Sequence, residues 1–132
     1  AKSDSKENIF YYIQYAHARI FSLEEKVLNK SPKIKTNTQN IENGLYKECD
    51  KLIHEISKYP DVLNKSAKTL HPHLMIYYLK DLAQLFHSYY NDNHVLSESE
   101  ENIESIYVCL YAVRQVISNG LKLLGITPME KM

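Results

Sequence analysis

The sequence predicts an all-α fold, a helical bundle of about five helices. Apolar residues recur at steps of three and four over long stretches, and no stretch alternates apolar and polar residues for long enough to form a strand. The 132 residues also include only three glycines and four prolines, which favours long helices. The length and the 44% apolar content suit one domain with its own core and exclude a disordered chain.

The first helix is predicted from about residue 8 to about residue 30. Its apolar residues repeat at helical spacing, at Ile9, Ile13, Ala16, Ile20, Leu23 and Val27. Residues 1–7 are polar and charged, and we interpret them as a connector or tail, which leaves 8–132 as the helical domain. Because the chain begins at Ala1 and not at Met, we expect a fragment or a processed chain.

Prolines divide the middle of the chain. Residues 29–40 have no period and are polar, so they predict an exposed loop. A second helix is predicted from about Ile41 to Lys58, because Pro60 disfavours helical geometry at Tyr59. Pro60 can then open a short third helix, since proline is tolerated in the first turn.

Two long helices complete the bundle. Pro72 is expected to open the fourth, which ends near residues 91–93 and buries Met75, Leu79, Leu82, Phe86 and either Tyr89 or Tyr90. Ser97 and Glu100 form a capping box for the fifth. This helix is expected to end at Gly125, since glycine is common at helix C-caps, and a short tail follows.

Composition narrows the possible functions. The 16 basic and 16 acidic residues cancel, which excludes a strongly basic, non-specific nucleic-acid binder and restricts any RNA contact to a local surface. The longest apolar runs are too short to span a membrane, and no signal peptide is recognisable. Cys49 and Cys109 form neither a zinc motif nor a disulfide framework, so we expect buried thiols and a reducing, cytoplasmic compartment.

The enzyme and metal motifs in the sequence are incomplete. His54-Glu55 could begin a zinc-binding helix, but Lys58 stands where the second histidine would be. The three glycines are isolated from one another, so no phosphate-binding loop is predicted. His71 and His73 lie at a helix start without a further ligand nearby, which favours an exposed turn over a metal site. We therefore predict no catalytic residue, cofactor site or metal site in this chain.

Aromatic residues carry the remaining signal. Tyr12, Tyr15 and Arg19 lie at steps of three and four, which places two rings and a guanidinium on one helix face. Unpaired RNA bases stack on such groups, at about 1–3 kcal/mol per base. Spacing alone favours the other interpretation, in which the tyrosines pack between helices with their hydroxyls in water. His87 and the pair Tyr89-Tyr90 allow the same two interpretations.

Several segments resemble a known family. Residues 11–20, YYIQYAHARI, closely resemble the segment that opens the C-terminal anticodon-binding domain of arginyl-tRNA synthetases. The similarity continues in order through LAQLFHSYYN at 82–91, VRQV at 113–116, NGL at 119–121, LGI at 124–126 and EKM at 130–132, and covers about residues 8–132. Two features depart from the family: Lys131 replaces the usual arginine, which puts one contact in doubt, and the Asp-Ala-Leu-Arg string is absent.

The resemblance implies an all-α domain of a class I synthetase that receives the anticodon loop of arginine tRNA. The family's anticodon-facing positions match Tyr12, Tyr15, Arg19, Tyr90 and Met132. The parent is then expected to be an arginine–tRNA ligase that uses ATP, magnesium and arginine. The family's ATP-handling motifs, of the His-Ile-Gly-His and Lys-Met-Ser-Lys-Ser types, do not occur in this sequence. We therefore expect this chain to bind RNA, without a cofactor and without catalysing the reaction.

The expected partners are the anticodon loop of tRNA(Arg) and the catalytic domain of the same parent chain, with no DNA, no membrane and a monomeric state. Four lysines, at 26, 30, 33 and 35, either meet phosphates or are simply solvated. Four polar residues either read base edges or, more commonly for polar residues in a bundle, bond to other helices: Gln14, His17, Gln115 and Asn119. A rival function is a helical protein–protein interaction module in which the tyrosines are hot spots.

Overall fold

The computed structural model describes residues 6–30, 49–92 and 100–132. Five helices occupy these ranges: α1 at Lys6–Lys30, α2 at Asp50–Ile56, α3 at Tyr59–Thr69, α4 at Pro72–Asp92 and α5 at Glu100–Leu123. All regular structure within the described ranges is helical, which confirms the predicted all-α fold. None of the helices described there is both long enough and apolar enough to cross a membrane.

The helix ends follow the local sequence. Pro60 lies in the first turn of α3 and Pro72 opens α4, as predicted. After α5, Gly125 adopts a φ of +79°, which favours glycine. The amide of Gly125 donates to the carbonyl of Lys122, and the amide of Ile126 donates to that of Leu121 over 2.9 Å. These two bonds form the Schellman motif, so the predicted glycine C-cap is confirmed.

Part of the predicted pattern lies outside the described residues. The loop after α1, the beginning of the predicted second helix at Ile41 and the Ser97 capping box fall in 31–48 and 93–99. Within the described residues, the second helix covers Asp50–Ile56 and ends two residues before the predicted boundary at Lys58. Tyr59 is helical, as the first residue of α3, so the prediction of non-helical geometry before Pro60 is wrong.

The core lies where α1, α4 and α5 pack on one another, with α2 and α3 against α4 and α2 also against α5. The predicted apolar stripes supply its fully buried side chains, among them Ile13, Ile20, Leu79, Leu82, Phe86, Leu110 and Ile117. Tyr89 is buried, whereas Tyr90 is only partly buried, which settles the choice between them. Cys49 and Cys109 are both buried, and a hydrogen bond that the Cys109 thiol donates to Cys49, together with burial, raises the pKa of Cys109.

Helices α4 and α5 approach closely at one point. A Cβ atom at Gly120 would lie 2.8 Å from both terminal methyl carbons of Leu79, which is itself completely buried. Glycine at this position therefore allows the two helices to pack with Leu79 between them.

Candidate functional site

One face of α1 carries the predicted aromatic and basic side chains, and α4 adds a third ring. The guanidinium carbon of Arg19 lies 5.0 Å from the ring centroid of Tyr15 and 4.6 Å from that of Tyr90. Both distances are within the range of cation–π contacts. The structure thus brings together three of the predicted site residues, one of which is distant in sequence.

His87 extends this group toward the beginning of α1. Its ring stacks on Tyr15 at 5.5 Å between centroids, with 30° between the planes, and it lies 5.0 Å from Tyr12 in a tilted arrangement. Tyr12, His87, Tyr15, Arg19 and Tyr90 therefore form a continuous row, which we call the aromatic row. From the sequence alone, His87 could either pack between helices or contact a base, and it was not among the predicted site residues. Its three-residue spacing from Tyr90 places both on one face of α4.

The aromatic row combines the two interpretations that the spacing left open. Its three tyrosines and Arg19 are all partly buried. Tyr12 and Tyr90 pack against the core, yet Tyr15, Arg19 and Tyr90 also line an open groove. Tyr90 therefore both supports the bundle and faces the groove, whereas Tyr12 packs against the core without lining this groove.

Burial shifts the pKa of two side chains in the aromatic row. Burial lowers the pKa of His87, and the positive charge of Arg19 lowers it further. The Nε2 atom of His87 is buried, and it neither donates a hydrogen bond to a described residue nor accepts one from it. Burial also raises the pKa of Tyr12. These shifts favour the neutral forms of the His87 and Tyr12 rings, which lie in one row with the guanidinium of Arg19.

The groove beside Arg19 has a volume of about 410 Å³. It is lined by Tyr15, Ala18, Arg19, Ser22, Leu23, Lys26 and Tyr90, and by Glu130, Lys131 and Met132 of the tail. Volumes of this size are typical of small-ligand sites. Three cations and one carboxylate make its lining positive, so a group that carries both a ring and a negative charge matches it.

The tail reaches the groove because α1 holds it. The Nε2 amide of Gln14 donates to the carbonyl of Thr127 over 2.8 Å, and the amide of Met129 donates to Oε1 of Gln14 over 2.8 Å. Nδ1 of His17 donates to the carbonyl of Met129 over 2.6 Å. Met132, a predicted site residue, lies at the groove with about half of its surface exposed.

Most of the other basic side chains and histidines singled out in the sequence lie apart from this site or beyond the described ranges. Lys26 is exposed at the groove, whereas the lysines at 33 and 35 fall outside the described residues. His71 and His73 are exposed at the start of α4. Within the ranges that the structure describes, no three His, Cys, Asp or Glu side chains come close enough together to hold a metal ion.

Comparison with known proteins is consistent across sequence and structure. The sequence model of the DALR anticodon binding domain family matches residues 13–132 of this chain. The arginine–tRNA ligases of Acinetobacter baylyi and Geobacter metallireducens are 39% and 40% identical to the whole chain, which covers 22% and 24% of their lengths. The arginyl-tRNA synthetase structure from Thermus thermophilus matches 98% of the chain with a TM-score of 0.79 and 25% identity. The chain thus spans about a quarter of the length of these relatives.

Proposed function

Because the chain belongs to the DALR anticodon binding domain family, we propose that it binds the anticodon loop of arginine tRNA as part of an arginine–tRNA ligase. The observation that carries the proposal is the position of Arg19, stacked between Tyr15 and Tyr90 at the edge of the groove. Single-stranded RNA is recognised by stacking on such rings and guanidinium planes, and this mode needs little net charge.

The side chains that line the groove would have different roles in RNA binding. A splayed base would stack on the aromatic row, where Tyr15 and Tyr90 are held in place by their contacts with His87 and Phe86. Lys26 and Lys131, both exposed at the groove, would meet the phosphates that flank this base. Met132 would close the groove beside the base. We propose Tyr12, Tyr15, Arg19, Tyr90 and Met132 as the RNA-binding residues.

The rest of the parent enzyme would carry out the reaction. Relatives of this chain are about four times as long, so the ATP, magnesium and arginine sites would lie in the catalytic domain of the same polypeptide. Such an enzyme would work in the cytoplasm as a monomer. Binding of the anticodon loop here would orient the distant acceptor end of the tRNA, because a correctly positioned reactant reacts faster than a freely diffusing one.

The decisive experiment is a titration of this chain with two RNA stem-loops. One carries an arginine tRNA anticodon with its central cytosine, and the other has that cytosine replaced. Binding of the first RNA with NMR shifts at Tyr15, Tyr90 and Met132, and weaker binding of the second, would support the proposal. Equal binding would leave a general stacking surface and contradict anticodon selectivity. The absence of binding to either RNA would overturn the proposal in favour of a protein-interaction module.

A further inference from the structure

Gln14 and His17 lie beside the aromatic row on α1 but are buried, with 6% and 2% of their surfaces exposed. Their spacing of three residues places both side chains over the same strip of the helix surface. Both side chains form hydrogen bonds with the tail. The tail has no regular secondary structure after Gly125.

The contacts between these side chains and the tail involve main-chain atoms. Gln14 uses its amide nitrogen for the carbonyl of Thr127 and its amide oxygen for the N–H of Met129. His17 binds the carbonyl of Met129, so both polar main-chain groups of that residue are engaged. Because Gln14 binds at two points, it fixes the direction of the tail as well as its position.

These contacts exclude a direct role in reading bases. The donor and the acceptor of Gln14 are both in use, and the side chain is almost completely buried. Nε2 of His17 is also buried and bonds to none of the described residues. Neither side chain presents a free polar group to the groove, so any effect on RNA has to pass through the tail.

We propose that Gln14 and His17 are positioning residues, which hold the main chain at Thr127 and Met129 so that Met132 and Lys131 form one wall of the RNA groove. The inference rests on the proposed function. Gln14 and His17 both bind the main chain of Met129. The three residues that follow Met129 line the groove together with Arg19 and Tyr90. Helix α1 then supplies part of the stacking surface as well as the support for the wall that the tail forms.

The first test follows the tail in the free chain. The sequence contains three methionines, so methyl-labelled methionine gives three NMR signals. In Gln14→Leu, the signals of Met129 and Met132 are expected to move toward those of a disordered tail, while the signal of buried Met75 reports an intact core. Asn64→Leu, which replaces an exposed amide on α3, is the matched control and should leave all three signals in place. Unmoved Met129 and Met132 signals in Gln14→Leu would overturn the inference.

The second test is a double-mutant cycle on RNA affinity, with the cytosine-containing stem-loop as the probe. Gln14→Leu and deletion of residues 129–132 are each expected to weaken binding about tenfold, the equivalent of one lost stacking contact. In the deleted chain, Gln14→Leu should cause no further loss, because its effect passes through the missing residues. Additive losses would mean that Gln14 acts on RNA or on the fold directly and would overturn the inference.

The deletion also covers the case in which Gln14→Leu does not fold, because it removes both contacts to Met129 and the groove-lining residues of the tail without altering Gln14. Full RNA affinity in the deleted chain would overturn the inference and the roles proposed for Lys131 and Met132, but would leave RNA binding by the aromatic row intact. Loss of RNA binding in the unmodified chain would overturn both. The two ideas therefore fail in different experiments.

Discussion

The guanidinium carbon of Arg19 on α1 lies 4.6 Å above the ring of Tyr90 on α4, so a cation–π contact joins two helices at the edge of the groove. The same guanidinium lies 5.0 Å from Tyr15. A planar cation between two rings is both a structural link and an extension of the stacking surface. The surface is therefore already assembled in the free protein, so RNA binding would not include a free-energy cost for ordering these side chains.

Arg19→Lys tests whether the planar group matters beyond its charge. Lysine keeps the positive charge but cannot stack flat on Tyr15 and Tyr90. We expect about tenfold weaker binding of the anticodon stem-loop, with an unchanged slope of log affinity against log salt. Fluorescence anisotropy titrations at several salt concentrations measure both quantities. Full affinity in Arg19→Lys would mean that Arg19 acts only as a point charge.

Tyr89 and Tyr90 form a matched pair of neighbouring rings with different environments. Tyr89 is 7% exposed in the core, whereas Tyr90 lines the groove. Tyr89→Ala should lower the free energy of unfolding by about 3 kcal/mol, as expected for a buried aromatic ring. Tyr90→Ala should lower it by about 1 kcal/mol but weaken RNA binding at least tenfold. Urea unfolding and RNA titration of both variants would separate the two roles, and equal destabilisation would contradict the assignment of Tyr90 to the site.

The helices could be predicted because their signals are local. The apolar spacing along α1, α4 and α5 and the cap at Gly125 depend on residues within a few turns of one another. The choice between Tyr89 and Tyr90 could not be made in the same way. These positions differ by about 100° around α4, and which one is buried depends on where α1 lies against it.

The site could be predicted only in part, because half of it depends on distant contacts. Tyr12, Tyr15 and Arg19 share one helix face, which spacing reveals, and Tyr90 and Met132 were added by resemblance. The anchoring of the tail joins Gln14 to a residue 113 positions away, and no local pattern encodes such a contact. His87 was noted but not assigned to the site, since its stacking on Tyr15 requires the packing of α4 against α1.

Gly120→Val tests the close approach of α4 and α5. The added side chain would overlap Leu79, whose methyl carbons lie 2.8 Å from the position of a Cβ atom, and Leu79 has no free space because it is completely buried. We expect a loss of about 2 kcal/mol in the free energy of unfolding. Combining the change with Leu79→Ala should cost less than the sum of the two single losses, because each change relieves the defect of the other. Strictly additive losses in urea unfolding would contradict this contact.

The stability of the fold should fall as the pH is lowered through about 6.5, the ordinary pKa of histidine. Burial lowers the pKa of His17 and of His87, so the unfolded chain binds more protons than the folded chain in this range. Under proton linkage, stability contributed by a depressed histidine pKa is complete above 6.5 and is lost as the pH falls toward the folded value. Urea unfolding between pH 5 and 8 measures the effect.

A single histidine variant provides the control for this pH dependence. His87→Gln removes one of the two histidines with a lowered pKa. The decrease in the free energy of unfolding between pH 8 and pH 5 should therefore be smaller in His87→Gln than in the unmodified chain. An unchanged pH profile in His87→Gln would show that His87 does not contribute to it.

A largely buried ion pair between Glu24 and Arg114 links α1 and α5. Nε of Arg114 donates to Oε2 of Glu24 over 2.7 Å, and the Arg114 guanidinium also lies 5.4 Å from the ring centroid of Phe21. Burial raises the pKa of Glu24, and the charge and hydrogen bond of Arg114 oppose this shift. Arg114 thus favours the ionised form of a carboxyl group whose burial favours the neutral form.

Arg114→Met is therefore expected to lower the free energy of unfolding by about 3 kcal/mol, because it leaves the Glu24 carboxylate buried without its partner. The double variant Glu24→Leu/Arg114→Met should recover most of this loss, since apolar residues of similar size can replace a buried pair at little cost. The pKa of Glu24 should rise further in Arg114→Met, so its deficit relative to the unmodified chain should shrink as the pH falls toward 5 and the carboxyl group becomes protonated. Urea unfolding of the four chains at pH 5 and pH 8 would test each step, and a pH-independent deficit would show that lost packing against Phe21, and not an unpaired charge, causes the destabilisation.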